Sequence, residues 1–272
     1  MSKIIAIDAG HGMKTAGKRC LKALDPNQTR EWWLNDRIAD KLQEMLSAYD
    51  CRVIRVDDTT GAKDISLSER VKTANAAKAD VYISIHHNAG RNGRTGGGTV
   101  VYFCSSKAER LGQAQRLYNA VVARTGLRGN RSVKVKKHGY YVIKKTKMPA
   151  FLVENGFMDS ADDVPVILSA KHAQKTAQGI MDFLVAEFSL REIQAPAAKP
   201  QESTEILCYP AYTGKKVILS AALTSLGINS SYAFRKQIAQ ANDMIGYRGT
   251  ATQNAQMYNL LTAGLLKRPW GR

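Results

Sequence analysis

Long apolar runs are missing from this chain. No uninterrupted stretch approaches the roughly 18 residues that suggest a membrane span, so no membrane insertion is expected. Cysteine is scarce, and the four present (Cys20, Cys51, Cys104 and Cys208) lie far apart with no CxxC pair. That spacing excludes the usual thiolate zinc site and fits a reducing compartment. Acidic residues are outnumbered, 23 against 40 Lys and Arg, and the formal net charge of +17 calls for an anionic partner. Nucleic acid, a membrane surface and a teichoic-acid-rich bacterial wall all satisfy that demand. After one lysine the N-terminus enters a strand-like run without the apolar core and small-residue cleavage site of a signal peptide. The expectation is synthesis in the cytoplasm, and any target outside the cell then requires a separate route out.

What is present is enough for a core: 272 residues, 44% of them hydrophobic, suggest one large domain and one small one. From Lys3 to about Leu190, apolar β-type runs alternate with helix-period segments, the pattern of an α/β fold. It predicts a mostly parallel or mixed sheet of about six strands with helices on both faces. The strand candidates are residues 4–7, 51–56, 81–85, 99–103, 140–143 (YYVI) and 150–154. Helices are expected over Glu31 to Tyr49, from a capping box at Ser66–Glu69 to about Ala79, over Ser106 to Arg124, and over Ala170 to Phe188. Residues 191–205 are polar, carry two prolines and read as a linker. Residues 206–272 form a small, mainly helical domain, with some strand in YPAYTGKKVIL, and carry eight Lys and Arg against the single acid Asp243.

Only five histidines exist, and two sit where strands should end: His11 in DAGHG and His86 in SIHHNA. Open α/β sheets gather ligands at the carboxyl ends of their strands, so both are aimed at one rim. Glu31 opens the helix after the Gly-containing loop, and Glu154 ends the apolar run AFLV. Two imidazoles and one carboxylate make a catalytic zinc set, and a further carboxylate can take a proton from water. Glu31 also reads as a favourable acid in a first helical turn. A buried carboxylate such as Glu154 needs a better reason to exist. His87 adjoins His86, and only one of the two can face the rim because neighbouring strand side chains point to opposite faces. Spacing alone does not say which.

These strings together resemble the zinc amidases of the type 3 family of N-acetylmuramoyl-L-alanine amidases, phage endolysins among them. The matching stretches are IIAIDAGHG, Glu31 followed by Asn35, LSERVKTANAAKADVYISIHHNA, and MPAFLVENGF, spanning nearly all of residues 3–188. The resemblance implies one Zn2+ held by His11, Glu31 and His86, with Glu154 as the catalytic carboxylate and His87 at a variable position. It implies hydrolysis of the amide between muramic acid and the L-alanine of the stem peptide, with peptidoglycan as substrate. Ala9 replaces the family's usual proline, and KALDPNQTRE replaces a Gly-rich segment; both alter loop shape. His138, in KKHGYYVIK, reads as an exposed histidine in a basic loop near the cleft.

The tail is similar to wall-binding modules attached to phage amidases, so residues 206–272 are expected to hold anionic wall polymers rather than nucleic acid. Cytoplasmic synthesis and a wall substrate together imply holin-dependent release if the chain is an endolysin. An autolysin is the alternative within the same chemistry. Two rivals differ in kind: a basic nucleic-acid binder without activity, and a zinc peptidase cutting within the stem peptide. The order His, Glu, His, Glu does not match the HExxH helix of common metalloproteases.

Overall fold

The computed structural model describes residues 2–130, 134–193, 208–244 and 246–269. The chain divides into two compact units, Met1–Gln194 and Ala195–Arg272.

In the first unit six strands form one mixed sheet: β1 (Lys3–Ala9), β2 (Cys51–Arg55), β3 (Val81–Asn88), β4 (Thr99–Cys104), β5 (Val135–His138) and β6 (Ala150–Phe157). Their order is β2-β1-β3-β6-β4-β5. Every pairing is parallel except β4 with β6. Helices α1 (Glu31–Leu46), α2 (Leu67–Ala76), α3 (Leu111–Thr125), α4 (Tyr141–Lys145), α5 (Asp163–Ile167) and α6 (Ala170–Phe188) complete it.

Two cores explain why the central strands are apolar without alternation. Ile5, Ile7, Ile83, Ile85, Phe151 and Val153 pack with Leu34, Ile38 and Leu42 of α1 and with residues of α3 and α6. On the other face Ala6, Tyr82 and Leu152 pack with Val71 and Ala74 of α2 and Val142 and Ile143 of α4. A strand covered on both faces buries successive residues. Helices α3 and α6 cross closely at Gly179, where a Cβ would lie 2.6 Å from Val121 Cα.

The expected sheet is present, with corrections. The run at 140–143 is not a strand: Tyr141–Lys145 is a helical turn with Val142 and Ile143 buried side by side. A short apolar run has the same appearance in either state, and period alone cannot separate them. The sixth strand is instead Val135–His138, a lysine-rich edge with a single apolar residue. Charged edges of this kind resist pairing with other chains. Helix α1 stops at Leu46, three residues short of Tyr49. Ser66 caps α2 by accepting from the Glu69 N–H, but the Glu69 carboxylate takes the Ser66 hydroxyl rather than a backbone N–H, so the capping box is incomplete.

The start of the expected linker belongs to the first unit. Asp50 N–H donates to Arg191 O, Ile193 N–H donates to Ala48 O, and Tyr49 pairs with Glu192. Residues 194–205 of that expected linker lie outside the described residues.

The second unit holds α7 (Leu219–Ser225), α8 (Tyr232–Ala241) and α9 (Ala251–Thr262) around Leu219, Leu223, Ile238, Met257, Leu261 and three tyrosines. Thr250 and Gln253 cap α9 reciprocally. Strand in YPAYTGKKVIL does not form among the described residues; Cys208 makes an isolated bridge to Lys267, and Val217 and Ile218 are exposed.

Candidate active site

His11, Glu31 and His86 converge at the carboxyl rim of the sheet, each offering one ligand atom within 4.8 Å of the others. His11 follows β1, and its backbone is left-handed (φ 68°). Glu31 is the first residue of α1 and is 1% exposed. His86 lies on β3, with Nδ1 3.0 Å from Glu31 Oε1, while His11 Nε2 is 3.4 Å from Glu31 Oε2. The two imidazole rings meet edge to face at 4.9 Å.

Burial opposes charge on Glu31, but hydrogen bonds to His11 and His86 override it and hold the carboxyl below the usual range. Burial likewise opposes a charged His86, and the Glu31 contact overrides it and raises the imidazole. Glu154 stands directly beside His86 in register on β6. Its Oε2 is buried without a hydrogen-bond partner, and burial pushes its carboxyl up to about 7.

A metal fits these residues on grounds of structure. Glu31 Oε2 is buried and faces only the long contacts to His11 Nε2 and Lys18 Nζ, and two imidazoles with one carboxylate are the donor set that a catalytic zinc takes. The cysteines do not compete. All four are free, none joins the cluster, and burial pushes the Cys20 thiol up to about 12.

Gly10 is needed here. A Cβ at this position would meet His86 Cε1 at 2.0 Å. Gly10→Ala is therefore expected to displace His86 and weaken zinc binding by roughly 10–100-fold, the usual scale for disturbing a ligand's support. Competition with a chromophoric chelator measures it, and an affinity equal to the parent's would refute this packing argument.

His87 faces the opposite side of the sheet, as strand geometry requires. Its Nδ1 lies 2.8 Å from Asn35 Oδ1, and burial together with His172 pushes the imidazole well below its ordinary range. Asn35 Nδ2 donates to Gly10 O, so Oδ1 is its acceptor and His87 Nδ1 carries the proton. His138 is exposed at the end of β5 and stacks on Tyr140 at 3.7 Å; it is not part of the cluster.

Sequence reasoning missed Lys18. Its Nζ is 3.8 Å from Glu31 Oε2, and its charge acts on Glu154. A lysine in a loop rich in lysine and arginine carries no sequence signal of its own.

The family model of N-acetylmuramoyl-L-alanine amidases matches residues 5–186. The chain is 30% identical over 204 residues to the endolysin of Bacillus phage SPP1, covering 74% of this chain and 72% of that one. It is 33% identical over 193 residues to the N-acetylmuramoyl-L-alanine amidase LytC of Bacillus subtilis, covering 69% of this chain but 36% of the relative. Among solved structures, an N-acetylmuramoyl-L-alanine amidase from Clostridium difficile 630 superposes with a TM-score of 0.62 at 27% identity, covering 69% of this chain and 97% of that one. Fold and site together define a hydrolase of the amidase class. The chain belongs to the N-acetylmuramoyl-L-alanine amidase family.

Proposed function

We propose that this chain hydrolyses the amide between the lactyl group of muramic acid and the L-alanine of the stem peptide, with zinc held by His11, Glu31 and His86. The observation that carries the reading is Glu154: a buried carboxylate with a partnerless oxygen beside His86, with its affinity for a proton raised into the neutral range. When bound, zinc supplies a Lewis acid that polarises the scissile carbonyl and makes water a stronger acid. Glu154 takes the proton of the attacking water as the oxygen–carbon bond forms. It then returns that proton to the departing L-alanine nitrogen as the carbon–nitrogen bond breaks. A carboxyl titrating near 7 is suited to both halves of that exchange. Lys18 adds a positive charge beside Glu31, and its field also reaches Glu154.

Mass spectrometry of digested purified peptidoglycan tests the bond. Stem peptides beginning with a free L-alanine amine are expected. New reducing ends would mean a glycosidase, and cuts inside the peptide a peptidase.

The second unit is read as a wall-binding module for anionic polymers. Residues 206–272 are strongly basic, and a second binding site raises the effective concentration of the catalytic unit on a long polymer. A fragment ending at Gln194 should hydrolyse soluble muropeptides at the parent's rate yet lyse whole cells more slowly. Residues 206–272 alone should bind walls in a salt-sensitive way, because exposed charges are screened. Tight binding to duplex DNA with no binding to walls would overturn this assignment. The similarity to a phage endolysin supports delivery to the wall after synthesis in the cytoplasm, through a holin-dependent lesion.

A further inference from the structure

The turn that carries His11 is held by side chains that the hydrolysis described above does not use. His11 sits at φ 68°, a region that L residues other than glycine rarely adopt and that persists only where surroundings fix it. Three successive carbonyls of this turn each accept a side-chain hydrogen bond. Arg70 Nη1 donates to Ala9 O at 2.9 Å, Asn35 Nδ2 to Gly10 O at 3.1 Å, and Arg70 Nη2 to His11 O at 3.1 Å.

The Arg70 guanidinium has no N–H to spare. Nε donates to Ile65 O at 2.7 Å, Nη1 also contacts the Asp8 carboxylate, and Nη2 also donates to Asp64 Oδ1 at 3.0 Å. Five donors therefore meet five acceptors on a side chain that is 1% exposed. Asp64 extends the grip outward: its other oxygen accepts from Thr15 Oγ1 at 2.6 Å, and that hydroxyl accepts the Gly12 N–H at 2.9 Å. A simple ion pair with Asp8 would need one point charge. The planar fork is required only because two backbone carbonyls on either side of Gly10 must be reached at once.

We propose that Arg70 and Asn35 are positioning residues that preset the His11 imidazole for metal, with Asp64 and Thr15 as the outer brace. Zinc affinity, rather than the chemical step, is then what they control. The inference rests on the zinc reading above. It assigns the holding of the loop to α1 and α2, so the site is shaped before any metal arrives.

The test compares zinc affinity in the full chain, by competition with a chromophoric chelator, for the parent, Arg70→Lys, Asn35→Ala, Asp64→Ala and Phe183→Leu. Phe183 is buried in α6 against Phe151 and Phe188, touches none of the residues of the brace, and serves as a control for stability alone. Arg70→Lys and Asn35→Ala should weaken zinc binding by about 10–100-fold, the scale seen when outer supports of a ligand are removed. Asp64→Ala should weaken it in the same direction; Asp64 is 43% exposed in its side chain, so its truncation leaves no cavity in the core. In metal-free Asp64→Ala, amide exchange at Gly12 should speed up. Phe183→Leu should lower the melting temperature and leave zinc affinity unchanged. If Arg70→Lys and Asp64→Ala lose stability as Phe183→Leu does and keep the parent's zinc affinity and Gly12 exchange, the positioning role is overturned. A parent chain that binds no zinc would instead overturn the metal reading, and the Gly12 exchange would then decide alone whether the brace holds the loop.

Discussion

Glu154→Gln should reduce amide hydrolysis by about 10²–10⁴-fold, the usual contribution of a general acid–base residue, while zinc stoichiometry stays at one per chain. Glutamine keeps the size of the side chain and cannot take a proton. A second, metal-free signature follows from the raised carboxyl. Its folded-state value near 7 lies above the ordinary 4.5, so its favourable contribution is complete below about 4.5 and is lost as pH rises through 7. Glutamine carries no such loss. The metal-free variant should therefore melt above the parent at pH 8, with the gap closing toward pH 4.5. Calorimetry across that range checks the sign, and a parent that is the more stable at pH 8 would show that Glu154 is not strained by burial.

Removal of the metal should have the other large effect. Exhaustive chelation is expected to abolish lysis, and added Zn2+ to restore it. Glu31→Gln should lose zinc itself, because the ligand must be an ionised carboxylate and the fold already favours that form. The sign follows from the lowered carboxyl: its stabilising contribution is present above the ordinary value of 4.5 and fades as pH falls through the depressed one. Zinc content and turnover measured on both variants separate the two glutamates. Zinc retained in Glu31→Gln but lost in Glu154→Gln would reverse their roles, and full activity after chelation would remove the metal from the account.

Much of this candidate site was legible because its four residues adjoin apolar runs or open a helix whose periodicity is plain. His11 and His86 follow apolar strand runs, Glu31 opens a helix with one apolar stripe, and Glu154 follows the apolar run AFLV. The face of His87 also follows from strand alternation. What the sequence did not disclose depends on long-range contacts. Arg70 meets Asp8 across 62 residues, and nothing in LSERVK says that its fork will grip the carbonyls around Gly10. Lys18 reaches Glu31 only because the loop between β1 and α1 folds back. The misplaced strand at 140–143 has a local cause: two adjacent apolar residues fit a helical turn on a core as well as a buried strand. Val135–His138 escaped notice because three of its four residues are basic or histidine, and pairing with β4 overrides that composition.

The pairing of residues 191–193 with the turn after α1 bears on how such enzymes can be recombined. A chimera that joined a foreign targeting module directly after Leu190 would leave the Asp50 amide and the Ala48 carbonyl without the strand-like segment that now covers them. A junction after Ile193 keeps both bonds. The practical seam after the first unit therefore lies a few residues beyond the end of α6, and fusions differing by only those residues should differ in solubility and yield.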